Sequence, residues 1–275
     1  MDFHYKCTEC GSEYPIEPDF MVCPKCSAEQ RNDEPLRGIL EIVIDGNLPD
    51  NFEIFDLLPV EKKYFPAIPV GNTPLWRPDN LRRNLNFPNL FIKDDTSNPT
   101  GSLKDRASFL VSAFAKKYGI ENIVVASTGN AASSMAGIGA AAGLSVTIFV
   151  PKYAPRAKLI QSLQYGARVI PVDGNYDLAF DLSIEYSRKT GALSRNTAYN
   201  PLTIEGKKTV AIEIYNQLGE IPDFIFVPAG DGVILAGVCR GFLDLKKFGI
   251  IDSIPKIYAV QSAGSCAICR ALENG

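Results

Sequence analysis

Within the first 26 residues, four cysteines stand as two Cys-x2-Cys pairs, Cys7 with Cys10 and Cys23 with Cys26, separated by 12 residues. Gly11 follows the first pair and Pro24 lies inside the second. Knuckles of this kind let four thiolates converge tetrahedrally on one ion, so the spacing predicts a metal site with zinc as the expected occupant and rubredoxin-like iron as its rival. A nucleic-acid ribbon would need basic residues, yet residues 1–34 hold eight Asp and Glu against three Lys and Arg, a net charge of −5. The segment therefore reads as a structural unit or a contact surface.

A second kind of chemistry is open to Lys104, in the string Ser97-Asn98-Pro99-Thr100-Gly101-Ser102-Leu103-Lys104-Asp105-Arg106. The string follows a predicted strand and runs into a predicted helix, a turn that can present one lysine at the sheet's edge, where α/β folds bind ligands. On spacing alone, a lysine at a helix start is more often a solvated charge. Two further loops bear on it. Ser127-Thr128-Gly129-Asn130 sits between a strand and the helix beginning near Ala131, a position suited to anions and rings. Pro228-Ala229-Gly230-Asp231-Gly232-Val233 offers backbone amides as a nest for a phosphate at a helix N-terminus. Asp231 is awkward there, since its carboxylate must point away from a dianion. The single histidine, His4, leaves no room for most Ser-His, Cys-His and His-rich zinc designs.

The elements that must position these residues follow from periodicity. Short runs rich in Val, Ile or Phe predict strands at 90–93, 123–126, 146–150, 168–172, 224–227 and 257–260. Helical spacing fills the gaps: Ala107, Leu110, Val111 and Phe114 share a face with Gly119 as stop, Leu235, Val238, Phe242 and Leu245 share another, and Tyr165-Gly166 and Leu218-Gly219 end helices in the same way. Alternation of this type marks an α/β protein with a mainly parallel sheet. Residues 47–78 carry Pro49, Pro59, Pro66, Pro69 and Pro74 and read as a wrapping connector without a long helix. The whole chain has 275 residues, 46% of them hydrophobic and 21% charged, the composition of a globular enzyme rather than a disordered or fibrous chain. A net charge of −3 gives a nucleic-acid backbone nothing to pair with. No apolar run approaches the roughly 20 residues of a membrane helix, and the start lacks a signal peptide's regions, so no membrane contact and a cytoplasmic location are expected.

Taken in order, the three strings resemble those of the pyridoxal-phosphate (PLP) enzymes of the tryptophan synthase β fold, and the nearest match is the threonine synthase family. Asn98 to Arg106 is similar to that family's Schiff-base lysine motif, with Leu103 where Phe is usual. Ser127 to Asn130 resembles its ring-contacting loop, and Gly230 to Ile234 its cofactor-phosphate loop. Gly71-Asn72-Thr73-Pro74-Leu75, Asn200-Pro201 and Glu205-Gly206-Lys207-Lys208-Thr209 fit as well, so the likeness runs through residues 68–262. It implies two open, mostly parallel α/β domains behind a small zinc ribbon: ribbon 1–35, a larger cofactor domain 36–106 with 191–275, and a smaller inserted domain 107–190. It implies Lys104 as Schiff-base lysine and later proton carrier at the substrate's Cα and Cβ. Asn130, Gly230, Asp231, Gly232, Val233 and Ile234 would hold the cofactor, and Ser127, Thr128 and Gly129 the substrate. Asp105 and Arg106 would position the turn. The implied reaction is conversion of O-phospho-L-homoserine and water to L-threonine and phosphate, on a small amino-acid substrate, with room for a homodimer.

The rivals are a threonine or serine dehydratase, a cysteate synthase-like β-replacement enzyme, and a non-catalytic zinc-ribbon interaction protein on a degenerate PLP fold. Two departures bear on substrate: Ala131 stands where the family usually has Thr, and Asp231 where it usually has Asn, so O-phosphohomoserine is expected to be handled less efficiently than by typical members. The family's chains continue past the strand at 257–260, and their later part supplies the Ser or Thr that meets the pyridine nitrogen. A fragment or a shortened relative is expected here. Gly137 to Gly143 imitates a dinucleotide fingerprint but lies inside a predicted helix and reads as close packing. Cys239, Cys266 and Cys269 read as buried structural thiols, and His4 as exposed.

Overall fold

A computed structural model describes residues 1–31, 34–197 and 199–274. The chain opens with β1 (Asp2–Cys7), β2 (Glu13–Pro15), the short α1 (Pro24–Ser27) and β3 (Leu40–Asp45), and β1 pairs antiparallel with both other strands. Along β3 the residues Leu40, Ile42 and Ile44 are buried alternately, the period-2 pattern of a half-buried strand. The expected boundary at residue 35 therefore cuts off the third strand of the cysteine-bearing sheet. His4 is half-buried in this sheet beside Glu13 and Asp45, not exposed as expected, because β1 is flanked on both edges.

The connector wraps as its prolines require. It contains 3-10 turns at Ile54–Leu57 and Lys62–Tyr64 and the strand β4 (Leu75–Trp76), which pairs with β5 (Ile92–Lys93) after the short α2 (Asp79–Asn84). Leu57, Leu58 and Val60 are buried along its path.

From Lys104 onward strands and helices alternate: α3 (Lys104–Lys117), β6 (Asn122–Ala126), α4 (Asn130–Ala142), β7 (Ser145–Pro151), α5 (Arg156–Gln164), β8 (Arg168–Val172), α6 (Tyr176–Thr190) and β9 (Leu193–Ser194). The four strands form a parallel sheet in the order β8-β7-β6-β9. Its central strands are apolar on both faces, as a sheet covered on both sides must be. Ile123, Val125, Ile148 and Val150 face one core shared with α3 and α4, whereas Val124, Ala126 and Phe149 face the other, with Ala179 and Phe180 of α6. The edge strand β9 extends this sheet past residue 190, where the smaller domain was expected to end. The glycines of α4 are packing devices: a Cβ on Gly137 would sit 2.6 Å from Thr100 Cγ2, and one on Gly139 2.5 Å from Val146 Cγ2.

The last part comprises α7 (Leu202–Leu218), β10 (Phe224–Pro228), α8 (Val233–Lys247), β11 (Lys256–Val260) and α9 (Ala267–Asn274), with β10 and β11 parallel. Gly219, at φ +73°, ends α7 in the left-handed conformation expected of it. α7 and α8 meet closely, since a Cβ on Gly237 would fall 2.7 Å from Lys207 Cβ and one on Gly241 2.5 Å from the Lys208 carbonyl oxygen. The N-terminal sheet is tied to α8: Arg240 donates to the Ile42 carbonyl and to Glu41, and Lys247 to the Ile44 carbonyl. Cys239, Cys266 and Cys269 are half-buried rather than buried, and Cys266 precedes α9. No helix among the described residues is long and apolar enough to cross a membrane.

Candidate active site

Lys104 is the first residue of α3, and the loop before it is held by its own side chains. Asp105 accepts the Thr100 amide at 2.7 Å and the Thr100 hydroxyl, and Ser102 Oγ accepts the Lys104 amide at 3.2 Å. Asn98 Oδ1 accepts the Gly71 amide at 2.9 Å, so the Gly71-to-Leu75 string is fastened to the lysine loop.

Beneath the loop lies a network of buried charge. The Arg106 guanidinium donates to Asp95 at 2.7 Å and Glu213 at 2.6 Å, and Lys93 donates to Glu213 at 2.7 Å. Glu213 also accepts the Asn72 amide at 2.8 Å. Burial pushes the Glu213 carboxyl up, but Arg106, Lys93 and that amide outweigh it and bring it down to about 2. Gly71 must be glycine for two reasons: φ is +84°, and a Cβ would meet Glu213 Oε1 at 2.5 Å. Arg106 and Asp105 are thus fully engaged in positioning the turn.

The other expected site residues lie at the ends of parallel strands. Ser127, Thr128 and Gly129 form the turn after β6; Ser127 Oγ accepts the Gly129 amide at 3.2 Å, and the exposed Asn130 opens α4. Gly230, Asp231 and Gly232 link β10 to α8, which Val233 and Ile234 begin. Asp231 is exposed, and its Oδ1 accepts the Val233 amide at 3.1 Å. Its carboxylate therefore folds back over the N-terminus of α8 and does not point away as the sequence suggested, because that orphan amide supplies a donor. Asp231 and Lys104 lie within range of each other's charge: burial lowers the half-buried Lys104 ammonium, Asp231 works against that, and Arg195 adds to it.

Two buried cations join this cluster: Arg195, which the sequence reading did not single out, and Lys207, which it named in the Glu205-to-Thr209 string without assigning it a role. Arg195, after β9, is fully buried, and burial pulls its guanidinium down to about 10 against the nearby charges of Asp231 and Asp105. Lys207, on α7, is equally buried, and its ammonium has no hydrogen-bond partner among the described residues. Burial, then Arg195 and Lys104, push its pKa well below the usual lysine value. The cluster fits an anionic cofactor, with cations in excess of carboxylates, an exposed loop of small residues around Gly230, and one lysine at a strand-to-helix turn.

At the other end of the chain, the sulfurs of Cys7, Cys10, Cys23 and Cys26 lie within 4.8 Å of one another. The Cys7–Cys26 and Cys10–Cys23 pairs are 3.8 and 3.6 Å apart. Four thiolates around a tetrahedral ion at about 2.3 Å are separated by about 3.8 Å, whereas a disulfide needs about 2.05 Å, so the donor set fits a metal such as zinc.

Comparison with known proteins bears on the same residues. Residues 67–275 match the family described as pyridoxal-phosphate dependent enzyme. The chain belongs to that family. Among curated relatives of this pyridoxal-phosphate dependent enzyme are the threonine synthase of Methanosarcina acetivorans, 33% identical over 99% of this chain and 68% of its own length, and that of Synechocystis sp., 36% identical over 89% and 60%. Among solved structures it is similar to threonine deaminase isoform 2 of Solanum lycopersicum, 25% identical with a TM-score of 0.65 over 84% of this chain and 62% of that one. Maize serine racemase gives 27%, a TM-score of 0.65, and coverage of 74% and 60%. The fold of this PLP-dependent family member is therefore the α/β fold of those neighbours, and the chain spans about two thirds of the length of its relatives.

Proposed function

We propose that this chain carries the catalytic core of a threonine synthase-like lyase, acting in the cytoplasm on a small phosphorylated amino acid, O-phospho-L-homoserine, to give L-threonine and phosphate. The observation that carries the reading is the Arg195 guanidinium on the Lys104 carbonyl at 3.5 Å, with the Asp231 carboxylate within charge range of both, so that two of the three matched strings share one charged cluster. Bound PLP would supply an electron sink at the substrate's Cα. Lys104 would hold the cofactor and then move protons at Cα and Cβ, a role that suits an amine whose pKa is lowered by burial. Asn130 would donate to the cofactor's 3′ oxygen, Ser127, Thr128 and Gly129 would receive the substrate, and the loop from Gly230 to Ile234 would face the cofactor phosphate with its amides, that of Val233 after release from Asp231. Zinc held by Cys7, Cys10, Cys23 and Cys26 would be structural.

A threonine or serine dehydratase is the second reading. Ala131, the second residue of α4, has no side-chain donor for a substrate phosphate. The deciding experiment loads the purified chain with PLP and assays two reactions: threonine and phosphate formed from O-phosphohomoserine, and ammonia released from threonine or serine. Phosphate release with threonine formation supports the first reading, and ammonia release alone supports the second. Ala131→Thr is expected to raise the phosphohomoserine activity, and no response means that other residues hold that phosphate.

A further inference from the structure

Lysines 207 and 208 are neighbours on α7, both fully buried. Lys208 is paired twice, with Glu205 at 2.5 Å and Asp244 at 2.7 Å. Lys207 has no partner among the described residues. Arg195, fully buried as well, finds only neutral oxygens among the described residues: Ser108 Oγ at 3.3 Å, Thr197 Oγ1 at 3.2 Å and the Lys104 carbonyl at 3.5 Å. Among the described residues, the carboxylate whose charge reaches Lys104, Lys207 and Arg195 alike is Asp231, which is exposed and already accepts the Val233 amide. An uncompensated buried charge is among the most unfavourable features a fold can carry, and the Lys208 pairing shows that this helix can satisfy a lysine where no ligand is expected.

We propose that Lys207 and Arg195 form a buried seat for a phosphate-class oxyanion beside Lys104, with Asp231 as its internal competitor. The seat supplies the donors that Ala131 does not, and it balances the carboxylate that Asp231 brings to the loop. It rests on the proposed function only for the source of the oxyanion, which is either the cofactor's phosphate or the substrate's. Lys207 is its specificity-determining residue. Arg-type bidentate and Lys-type point-charge donors are both suited to phosphate oxygens.

The test uses the full chain and calorimetric titration with three probes: inorganic phosphate, PLP, and pyridoxal, which lacks the phosphate. Lys207→Met should weaken phosphate binding by about ten- to a hundredfold, the loss of one charge-assisted contact. Lys207→Arg should restore most of it, and Asp231→Asn should strengthen it. These opposed signs separate a binding role from damage to the fold, which would weaken binding in both variants. If Lys207→Met weakens PLP but spares pyridoxal, the seat belongs to the cofactor. If it leaves PLP unchanged and weakens inorganic phosphate, the seat belongs to the substrate. Absence of phosphate binding in the unaltered protein, binding of all probes unchanged in Lys207→Met, or weakening by both Lys207→Met and Asp231→Asn overturns the proposal. Lys207-dependent phosphate binding in a chain that never takes PLP would leave the seat standing and sink the proposed function. PLP attached to Lys104 with no dependence on Lys207 would do the reverse.

Discussion

Two clusters of buried charge draw on the same two helices, α3 and α7, and they are built on opposite principles. Around Arg106 every charge is answered: Asp95 and both oxygens of Glu213 accept from the guanidinium, Lys93 also donates to Glu213, and Thr73 donates to Asp95 at 2.6 Å. Around Lys104 the cations Lys207 and Arg195 are buried without a carboxylate in contact among the described residues. Two residues along α3 thus separate a cation whose partners are all internal from one whose cationic neighbours have no carboxylate in contact among the described residues. The difference teaches that burial of a charge says little by itself; the state of its partners tells scaffold from site.

The strongest break of this comparison is Lys104→Ala. It should abolish the borohydride-reducible link to PLP while leaving the unfolding midpoint near that of the unaltered chain, because the scaffold cluster is untouched. A reducible adduct of undiminished yield would remove Lys104 from its role. Next in size, Arg106→Met should destabilise the fold by about 3 to 5 kcal/mol, since it leaves the buried Asp95 without a cation and Glu213 with Lys93 as its one cationic partner among the described residues. Lys207→Met should be neutral or stabilising in the same urea titration, because it deletes a charge that has no partner. Equal losses in the two variants would erase the distinction.

The pH dependence sharpens it further. Glu213 has its carboxyl lowered from an ordinary value of 4.5 to about 2 in the folded protein, so its stabilisation is fully present above about pH 4.5 and is lost as pH falls toward 2. Lys207 is a base lowered from 10.5, so its contribution is most favourable above that pH and declines as pH falls toward its folded value. Stability curves of Arg106→Met should flatten on the acid side, and those of Lys207→Met on the alkaline side. Acid curves of Arg106→Met that superimpose on those of the unaltered protein would contradict the first assignment. The smallest effect on the site is expected from chelation. Stripping the metal from Cys7, Cys10, Cys23 and Cys26 should speed amide exchange in β1 to β3 and leave exchange in α3 and α7 unchanged. Equal acceleration in α3 and α7 would show that the N-terminal sheet supports the site directly.

Much of this was legible from residue order. The strand-to-helix turns at Lys104, Ser127 and Gly230 announce themselves because turn residues interrupt apolar runs of the right length, and the Gly-rich stretch of α4 could be read as packing because it lies inside a helix. Arg195 was hidden because its strand, Leu193–Ser194, is too short to show a period. Lys207 stood in the Glu205-to-Thr209 string without a role of its own, because sequence does not say which of two adjacent lysines will lack a partner; packing against Gly237 of α8 buries this one. The strand β3 carried a usable signal, the alternation of Leu40, Ile42 and Ile44, which a boundary placed at residue 35 overlooked.

The ties from β3 to α8 set an order of events in synthesis. The cysteine-bearing sheet closes on itself by residue 45, whereas Arg240 and Lys247 grip it from 198 to 203 residues further along the chain. At roughly 5 to 20 residues per second, a ribosome needs about 10 to 40 s to make that interval. Throughout that wait the N-terminal sheet must hold its register without α8, on its own strands, four thiolates and the earlier contacts with residues 58–118, among them the Tyr118 hydroxyl on the Ile16 carbonyl.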